Sequence, residues 1–437
     1  MSRENIITAI DLGTDKCVTV IAKLNEHEQL EVLGFSVVPS QGVRRSIIVN
    51  LEEALNTVSH SLDAAERMAG LAVKSAVLSI SGTYIRYKNS KGVVAVASPD
   101  QEIMAADVER VIEAARAISL PADREIVHVI PKDFKVDSQE GIKDPIGMMG
   151  VRLEAEAHII TGLSTSLRNF EKCVSDLGLT VDAFVFAALA ASEVALTDTE
   201  KELGVVLVDI GAGTTSIAAF VEGVLEFSAV IPVGAKHITQ DIASGARISM
   251  ADAEKLKLFL GQEPTTKLVP LAGESKADFN KRKREQDLID AASLGLSHQD
   301  PISRKFISNV VMEPRVKEIF NLVLGELDQA GLLEGNQLPA GIVVSGGGAL
   351  THNLVDIARH TTKMAVRLVE PAQIIGLTED VKQANYAVVT GLLEYAKHQG
   401  NINQSKSSDF TFSQLFNNRL FNWLGTNFKK LFKKIFP

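Results

Sequence analysis

Cysteine is almost missing from this chain of 437 residues, which has only Cys17 and Cys173. Neither has a second ligand at metal-site spacing. That excludes a disulfide framework or a zinc module and leaves two reduced, buried thiols as the expectation. Long apolar runs are missing too, and none approaches the ~18 residues of a membrane-spanning helix. No secretory signal opens the chain, because residues 1–5 lead straight into a short apolar stretch that Asp11 interrupts. The expected location is therefore the cytoplasm. Aromatic residues are few, at 5%, and unevenly placed: seven of the eighteen Phe and the single Trp fall in residues 410–437. That tail holds no acid and five cations (Arg419, Lys429, Lys430, Lys433, Lys434), so of a net −9 it contributes +5 and residues 1–409 contribute −14. An acidic body lacks the basic surface that phosphate neutralisation requires, so no nucleic-acid partner is expected. The remaining composition, 46% apolar and 23% charged, is that of a soluble globular protein. The length suits a few domains of about 100–200 residues each.

What the chain does have is a duplicated turn. Residues 9–14 read Ala-Ile-Asp-Leu-Gly-Thr, and residues 207–214 read Leu-Val-Asp-Ile-Gly-Ala-Gly-Thr. Each places an Asp near the end of an apolar strand, follows it with glycine and a hydroxyl residue, and then re-enters a β-rich run, the pattern of a hairpin. Glycine (Gly13, Gly211, Gly213) lets backbone come close to a phosphate, turn amides point at its oxygens, and Thr14, Thr214 and Thr215 add donors. Asp11 and Asp209 suit Mg²⁺, which keeps most of its waters and takes few carboxylates, so the metal would be held through water. One such turn alone is an ordinary hairpin with an Asx-type turn; two at matching positions point to two like domains closing on one nucleotide. A third cluster, residues 342–354, runs from a buried strand through Gly346, Gly347 and Gly348 into a helix start, a bed for a planar base or a phosphate. No Lys-Ser/Thr follows these glycines, so this is not a P-loop, and no Gly-x-Gly-x-x-Gly fingerprint is present.

Other segments carry their own patterns. Residues 101–118 predict a helix with Met104, Val108, Ile112 and Ala115 on one face, stopped by Pro121. Residues 126–136 predict a strand that Pro131 interrupts. Residues 249–261 predict a helix capped by Ser249, with Glu254 and Lys257 as an i, i+3 pair. The run Lys281-Arg282-Lys283-Arg284 lies among Asp278, Glu285 and Asp287, the mark of a solvated helix or loop rather than a nucleic-acid patch. Residues 398–409 are polar and read as a linker. Beyond them, on a wheel of ~100° per residue, Phe428, Leu431, Phe432 and Ile435 share one arc with Phe436 at its edge, and Lys429, Lys430, Lys433 and Lys434 share the other. The preceding stretch has an apolar face of Phe412, Leu415, Phe416, Leu420, Trp423 and Leu424, with a bend expected at Gly425. Separated Phe and Lys faces suit a helix lying in the interface of an anionic bilayer. The alternative is a helix docking on the chain's own body or on a partner.

The order of phosphate turn, second phosphate turn and glycine-rich turn resembles the actin/Hsp70/sugar-kinase superfamily. Within it the chain is similar to the FtsA family of bacterial cell-division actin homologues. The resemblance rests on residues 10–16, His128-Val129-Ile130-Pro131, Glu140-Gly141-Ile142-Lys143-Asp144-Pro145-Ile146-Gly147, Leu203-Gly204-Val205-Val206, Ile231-Pro232-Val233-Gly234 and Glu313-Pro314-Arg315. It implies an α/β, actin-like ATPase fold: two ribonuclease-H-like cores (1–83 with 163–200, and 201–230 with 311–395), an inserted α/β subdomain at 84–162 and a small lobe at 231–310. A linker at 396–409 and a membrane-targeting helix at 410–437 would follow. It implies ATP and Mg as ligands, Lys16 among the phosphate contacts, and Glu254 and Lys257 on ribose and adenine. It also implies actin-like filaments, attachment to the cytoplasmic face of the inner membrane, and docking of the acidic C-terminal peptide of the tubulin-like partner FtsZ near Arg282, Arg284 and Arg315. Superfamily members that cleave phosphate carry a water-orienting Glu or Gln ahead of the second turn. Here residues 185–191 read Val-Phe-Ala-Ala-Leu-Ala-Ala and Glu193 lies further along, so no catalytic residue is assigned and turnover is expected to be weak. The rival readings are a pilus-assembly actin-like adaptor and a kinase or dedicated ATPase of the same fold.

Overall fold

The structure, a computed structural model, describes residues 6–403 apart from residues 99, 263–268, 298–299, 371–374 and 377–382. The tail and its predicted helix lie outside the described residues. The chain begins with β1 (Ile6–Leu12), β2 (Lys16–Leu24), β3 (Leu30–Pro39), a small hairpin of β4 (Val43–Arg44) and β5 (Ile47–Ile48), then α1 (Leu51–Ala69) and β6 (Ser75–Ile80). Helix α1 forms where Asn50 accepts a bond from the Glu53 amide at its start and Gly70 takes a left-handed conformation at its end. Its Ala54, Val58, Leu62 and Ala65 are buried. At ~1.5–3 kcal/mol for each large side chain, that stripe rather than propensity docks the helix on the sheet.

An insertion follows: β7 (Arg86–Ala95), α2 (Ala105–Arg116), β8 (Arg124–Val136), β9 (Gln139–Ile142) and β10 (Arg152–Leu163), a sheet ordered β7-β10-β8-β9. Helix α2 is shorter than predicted. Met104 is not on its buried face but 53% exposed at the N-cap, where Asp107 turns back to accept from the Met104 amide at 2.9 Å. Strand β8 is not broken at Pro131. Pairing to β10 slips there by one residue and leaves Lys132 unpaired, a bulge that accommodates the imino acid.

The chain returns through α3 (Ser164–Ser175), β11 (Thr180–Phe186), α4 (Ala187–Ala195) and α5 (Asp198–Leu203) to a second sheet. There β12 (Val205–Ile210), β13 (Thr215–Val221) and β14 (Val224–Ile231) precede α6 (Ala235–Ala246), α7 (Met250–Gln262), α8 (Lys276–Asp287) and a short β15 (Leu288–Ile289) and β16 (Ile302–Ser303) pair. A π-helical segment at 306–312 leads into α9 (Glu313–Gln329), β17 (Gly341–Ser345), α10 (Leu354–Thr362), β18 (Val366–Leu368), β19 (Ile375–Gly376) and α11 (Ala387–Asn403). The two large sheets are ordered β11-β6-β1-β2-β3-β19 and β14-β13-β12-β17-β18. Read with β11, β6, β1, β2 and β3 set against β18, β17, β12, β13 and β14, they are one plan used twice. Every residue of β12 is buried, as a central strand covered on both faces must be. Although residues 311–395 were expected in the second core, β19 pairs with β3, and α11 lies against α4, β1 and β2 beneath the first sheet. Residues 398–403 continue α11 instead of opening a linker. Once residues such as Leu392 and Leu393 are anchored, each further helical residue adds a backbone bond at little cost.

The insertion is fastened to both cores. Phe186 donates its amide to His128 Nε2 at 3.0 Å, tying β8 to β11. On the other side, His158 of β10 lies fully buried between Asn89 (2.8 Å) and Ser228 of β14 (2.9 Å), with Tyr87 stacked on it at 4.8 Å. Lys132 bonds Glu156 and, across the junction, Glu226, both at 2.8 Å. Burial first, and the Lys132 charge second, pull the His158 imidazole down to about 3. The folded state therefore keeps it neutral while the unfolded chain takes up a proton below about 6.5, so stability falls as pH drops through that window. Lowering pH from 7 to 4.5 is predicted to cost about 3 kcal/mol through this residue alone. His158→Gln flattens that part of the stability–pH profile in urea titrations; an unchanged profile would contradict the assignment.

Candidate functional site

The plan used twice brings two acids to one place. In the first sheet β1 runs parallel to β6, and Ser79 donates its hydroxyl to Asp11 Oδ1 at 2.5 Å. In the second, β12 runs parallel to β17 in a register that sets Asp209 beside Ser345, whose hydroxyl donates to Asp209 Oδ1 at 2.9 Å. The hairpin turns after the two acids also match, with Gly13 N–H bonded to Lys16 O at 3.0 Å and Gly211 N–H to Thr214 O at 2.9 Å. Burial raises the Asp11 carboxyl above its usual range, partly offset by Ser79 and Lys16. Burial likewise pushes Asp209 up to about 6, Ser345 opposing and the Asp11 charge adding to the rise. Two acids raised by burial, with the Asp11 charge adding to the rise of Asp209, form a donor set that a divalent cation would relieve. The set suits Mg²⁺, which needs only one or two carboxylates beside waters and phosphate oxygens.

Lys16 opens β2 and reaches Asn385 O at 3.0 Å, its ammonium lying 4.0 Å from the centre of the Tyr386 ring. Burial lowers its pKa against the pull of Asp11, Asp15 and Asp209. Between the two turns runs a set of hydroxyls. Ser46, at the tip of the β4–β5 hairpin, donates its amide to Thr14 Oγ1 at 3.0 Å and lies 3.2 Å from Thr214 Oγ1. Ser81, just after β6, lies 2.8 Å from Ser216 and 3.3 Å from Thr214. Thr215 donates instead to Val233 O at 2.8 Å, tying β13 to the start of α6.

The third cluster stands beside Asp209. Gly346 has φ +84°, and a Cβ there would meet Ile210 O at 2.5 Å and Asp209 Oδ1 at 2.8 Å; Gly348 is equally crowded against Ile210, whereas Gly347 is open. Ser249 caps α7 as expected, donor and acceptor 3.0 Å apart. On that helix Lys257 bonds Glu254 at 2.8 Å and Thr239 of α6 at 2.9 Å, its side chain only 11% exposed. The pair is thus tied into a two-helix contact rather than loose on the surface. The end of α7 meets the segment after the glycines, where His352 Nδ1 lies 2.9 Å from Leu260 O.

The sequence reading missed Ser79, Ser345, Ser46 and Ser81. A signal did exist for two of them: Ser79 is the penultimate and Ser345 the last residue of a buried strand, each shortly ahead of a glycine. The three candidate partner-binding arginines are not gathered at the site. Arg282 is held by Glu274 at 2.6 Å, Arg315 by Asp241 at 2.6 Å and by Glu318, and Arg284 stands exposed on α8. The membrane-binding candidates, Phe416 to Phe436, lie outside the described residues.

Two cores of one plan, each presenting an acid, a supporting serine and a glycine turn to a shared cleft, define a protein of the actin-like ATPase fold. Solved structures bear this out at the level of fold. The chain covers 88% of itself and 97% of a PilM–PilN type IV pilus biogenesis complex chain at a TM-score of 0.60 and 14% identity. The figures for MreB5 of Spiroplasma citri bound to ADP are 92%, 99%, 0.51 and 16%. A family profile described as "SHS2 domain inserted in FTSA" matches residues 82–161, and one described as "Cell division protein FtsA" matches residues 206–391. The FtsA of Pseudomonas aeruginosa is 39% identical over 89% of both chains, that of Borreliella burgdorferi 38% over 93% of this chain and 94% of its own, and that of Escherichia coli K12 32% over 90% of both. The chain belongs to the FtsA family of cell-division proteins.

Replacing Gly346 by Ala is predicted to cost about 2–4 kcal/mol, from left-handed strain together with the clash on Ile210 O. Gly347→Ala should cost under ~1 kcal/mol. Urea midpoints of the two variants check this, and equal midpoints would contradict it.

Proposed function

We propose that the chain binds ATP with Mg²⁺ between its two cores and, through residues 410–437, holds the FtsZ C-terminal peptide at an anionic membrane surface during division. The observation that carries the nucleotide reading is the paired Asp–Ser arrangement, Asp11 with Ser79 and Asp209 with Ser345, at the floor of two facing glycine turns. Asp11 and Asp209 would hold Mg²⁺ through water, and the metal would supply charge neutralisation of the phosphates. Gly13, Thr14, Gly211, Gly213 and Thr214 would offer turn amides and hydroxyls, and Lys16 its ammonium. Glu254, Lys257 and the 346–348 turn would take the adenosine end. Turnover is slow in this reading, because the start of α4, Ala187 to Ala191, offers no polar side chain to orient water. Of the basic candidates Arg284 is the one best placed for an acidic peptide, since Arg282 and Arg315 already have carboxylates. A helix in the bilayer interface needs both the Phe face and the Lys face of the tail. Filament formation follows the family and is part of the same proposal.

Calorimetric titration of MgATP tests the first half. Asp209→Asn is expected to lower affinity at least tenfold and to abolish the dependence on Mg²⁺; affinity insensitive to both Mg²⁺ and the substitution would overturn the site. The second half is read by flotation with phosphatidylglycerol vesicles. The full chain carries a fluorescent FtsZ peptide to the top of the gradient, a chain ending at residue 409 does not float, and Arg284→Glu floats without the peptide. A truncated chain that floats equally well would sink the membrane assignment.

A further inference from the structure

One short turn touches both cores at once. Residues 384–386, just ahead of α11, follow the glycine bed far along the chain and return to it. Ala384 O accepts the Gly346 amide at 3.0 Å, so the turn hangs on the second core. One residue on, Asn385 O accepts from Lys16 Nζ at 3.0 Å, and Lys16 opens β2 of the first core. The Tyr386 ring then lies beneath the same ammonium, its centre 4.0 Å from Nζ.

The ring is itself held in place. Phe35 of β3 meets it edge to face, with centroids 5.2 Å apart and planes at 88°. The Tyr386 carbonyl accepts from Thr390 Oγ1 at 2.9 Å, in the first turn of α11. That helix has no slack against α4, because a Cβ on Gly391 would lie 1.9 Å from Ala190 O. A ring fixed by a strand on one side and a packed helix on the other does not follow the lysine; the lysine is placed by the ring.

Electrostatics alone would send Lys16 elsewhere. Asp11, Asp15 and Asp209 all pull on its charge, yet among the described residues Lys16 makes no ion pair and instead meets a carbonyl and an aromatic face. An ammonium clamped onto Asp11 or Asp209 would occupy the carboxylate oxygens that a hydrated metal needs. Over the ring it keeps the quadrupole's attraction, which strengthens as water is removed. Of its three N–H donors the Asn385 carbonyl takes one, and others remain for an anion.

We propose that Tyr386 is the positioning residue for Lys16, its ring seating the ammonium off the two carboxylates and free to meet a phosphate. The consequence for phosphate rests on the proposed nucleotide reading; the seat itself rests on the contacts above.

The test fluorinates the ring of Tyr386→Phe stepwise, which drains its negative face at nearly constant shape, and measures MgATP affinity of the full chain by calorimetry. Relative to Tyr386→Phe, the pentafluorinated ring is expected to bind MgATP about tenfold more weakly, with partly fluorinated rings in between. In a Lys16→Met background the same series is expected to be flat, because ring and lysine act as one unit; a role in packing alone would keep its loss there. A second readout needs no nucleotide. With lysines labelled by ¹³C-dimethylation, the Lys16 methyl signal of the free chain is expected upfield, shifted by the ring, and in Tyr386→Leu it loses that shift. The proposal is overturned by affinity that ignores fluorination, by equal losses in both backgrounds, or by a Lys16 signal with no upfield shift in the parent chain. An upfield signal in a chain that takes up no MgATP would sustain the seat and overturn the nucleotide reading instead.

Discussion

Two acids of like charge facing one cleft, Asp209 buried and Asp11 half-buried, are what the rest of this structure is arranged around. Each sits near the end of a central strand, and the Asp11 charge disfavours the ionised form of Asp209. The fold answers with the same local device twice, a serine hydroxyl from the neighbouring parallel strand. It adds one shared cation, Lys16, anchored on Asn385 at the start of α11. Strongly shifted buried acids of this kind cluster at functional sites, and in the proposed reading a metal and phosphates complete the pair.

The turn tips of the two cores meet through hydroxyls, while beneath them α4 and α11 share one apolar cluster with Val205, Leu207, Ala218, Phe220 and Val343 of the second core. Thr14, Ser46, Ser81, Thr214 and Ser216 link turn to turn and core to core through short polar contacts that water or phosphate oxygens can replace. Such a joint is exchangeable by design of its chemistry, since each lost bond has an equivalent partner in solvent. The inserted subdomain is held differently. His158, Tyr87 and Lys132 form a half-buried junction with β14, where replacing His158 leaves Ser228, and replacing Lys132 leaves Glu226, without that partner, and Tyr87 packs on His158 and Phe227.

Much of this was legible in the residues. The strand–Asp–Gly turns, the capped α7 and the glycine bed are local patterns and were found where they were expected. Pro131 and Met104 misled for local reasons as well. Proline in a strand reads as a break unless a bulge absorbs it, and a methionine in phase with a helix reads as core unless the cap residue comes first. The linker boundary misread had the same root: residues 398–403 are mostly polar, but they extend a helix already anchored by Leu392 and Leu393, buried one to two turns earlier. The basic hairpin at Arg44 and Arg45 passed unnoticed because nothing in residues 43–48 shows that its tip would be seated between two turns from different cores.

The sequence alone determined what neighbours along the chain can decide: hairpins, helix faces, the two kinds of phosphate-suited turn, and the contrast between an acidic body and a basic, Phe-rich tail. Only the tertiary structure decided which of these meet. Ser79 lies 68 positions from Asp11, and Ser345 lies 136 from Asp209. Contacts at such separation are chosen by strand order and register across a whole sheet, and a parallel register leaves no trace in either segment read by itself.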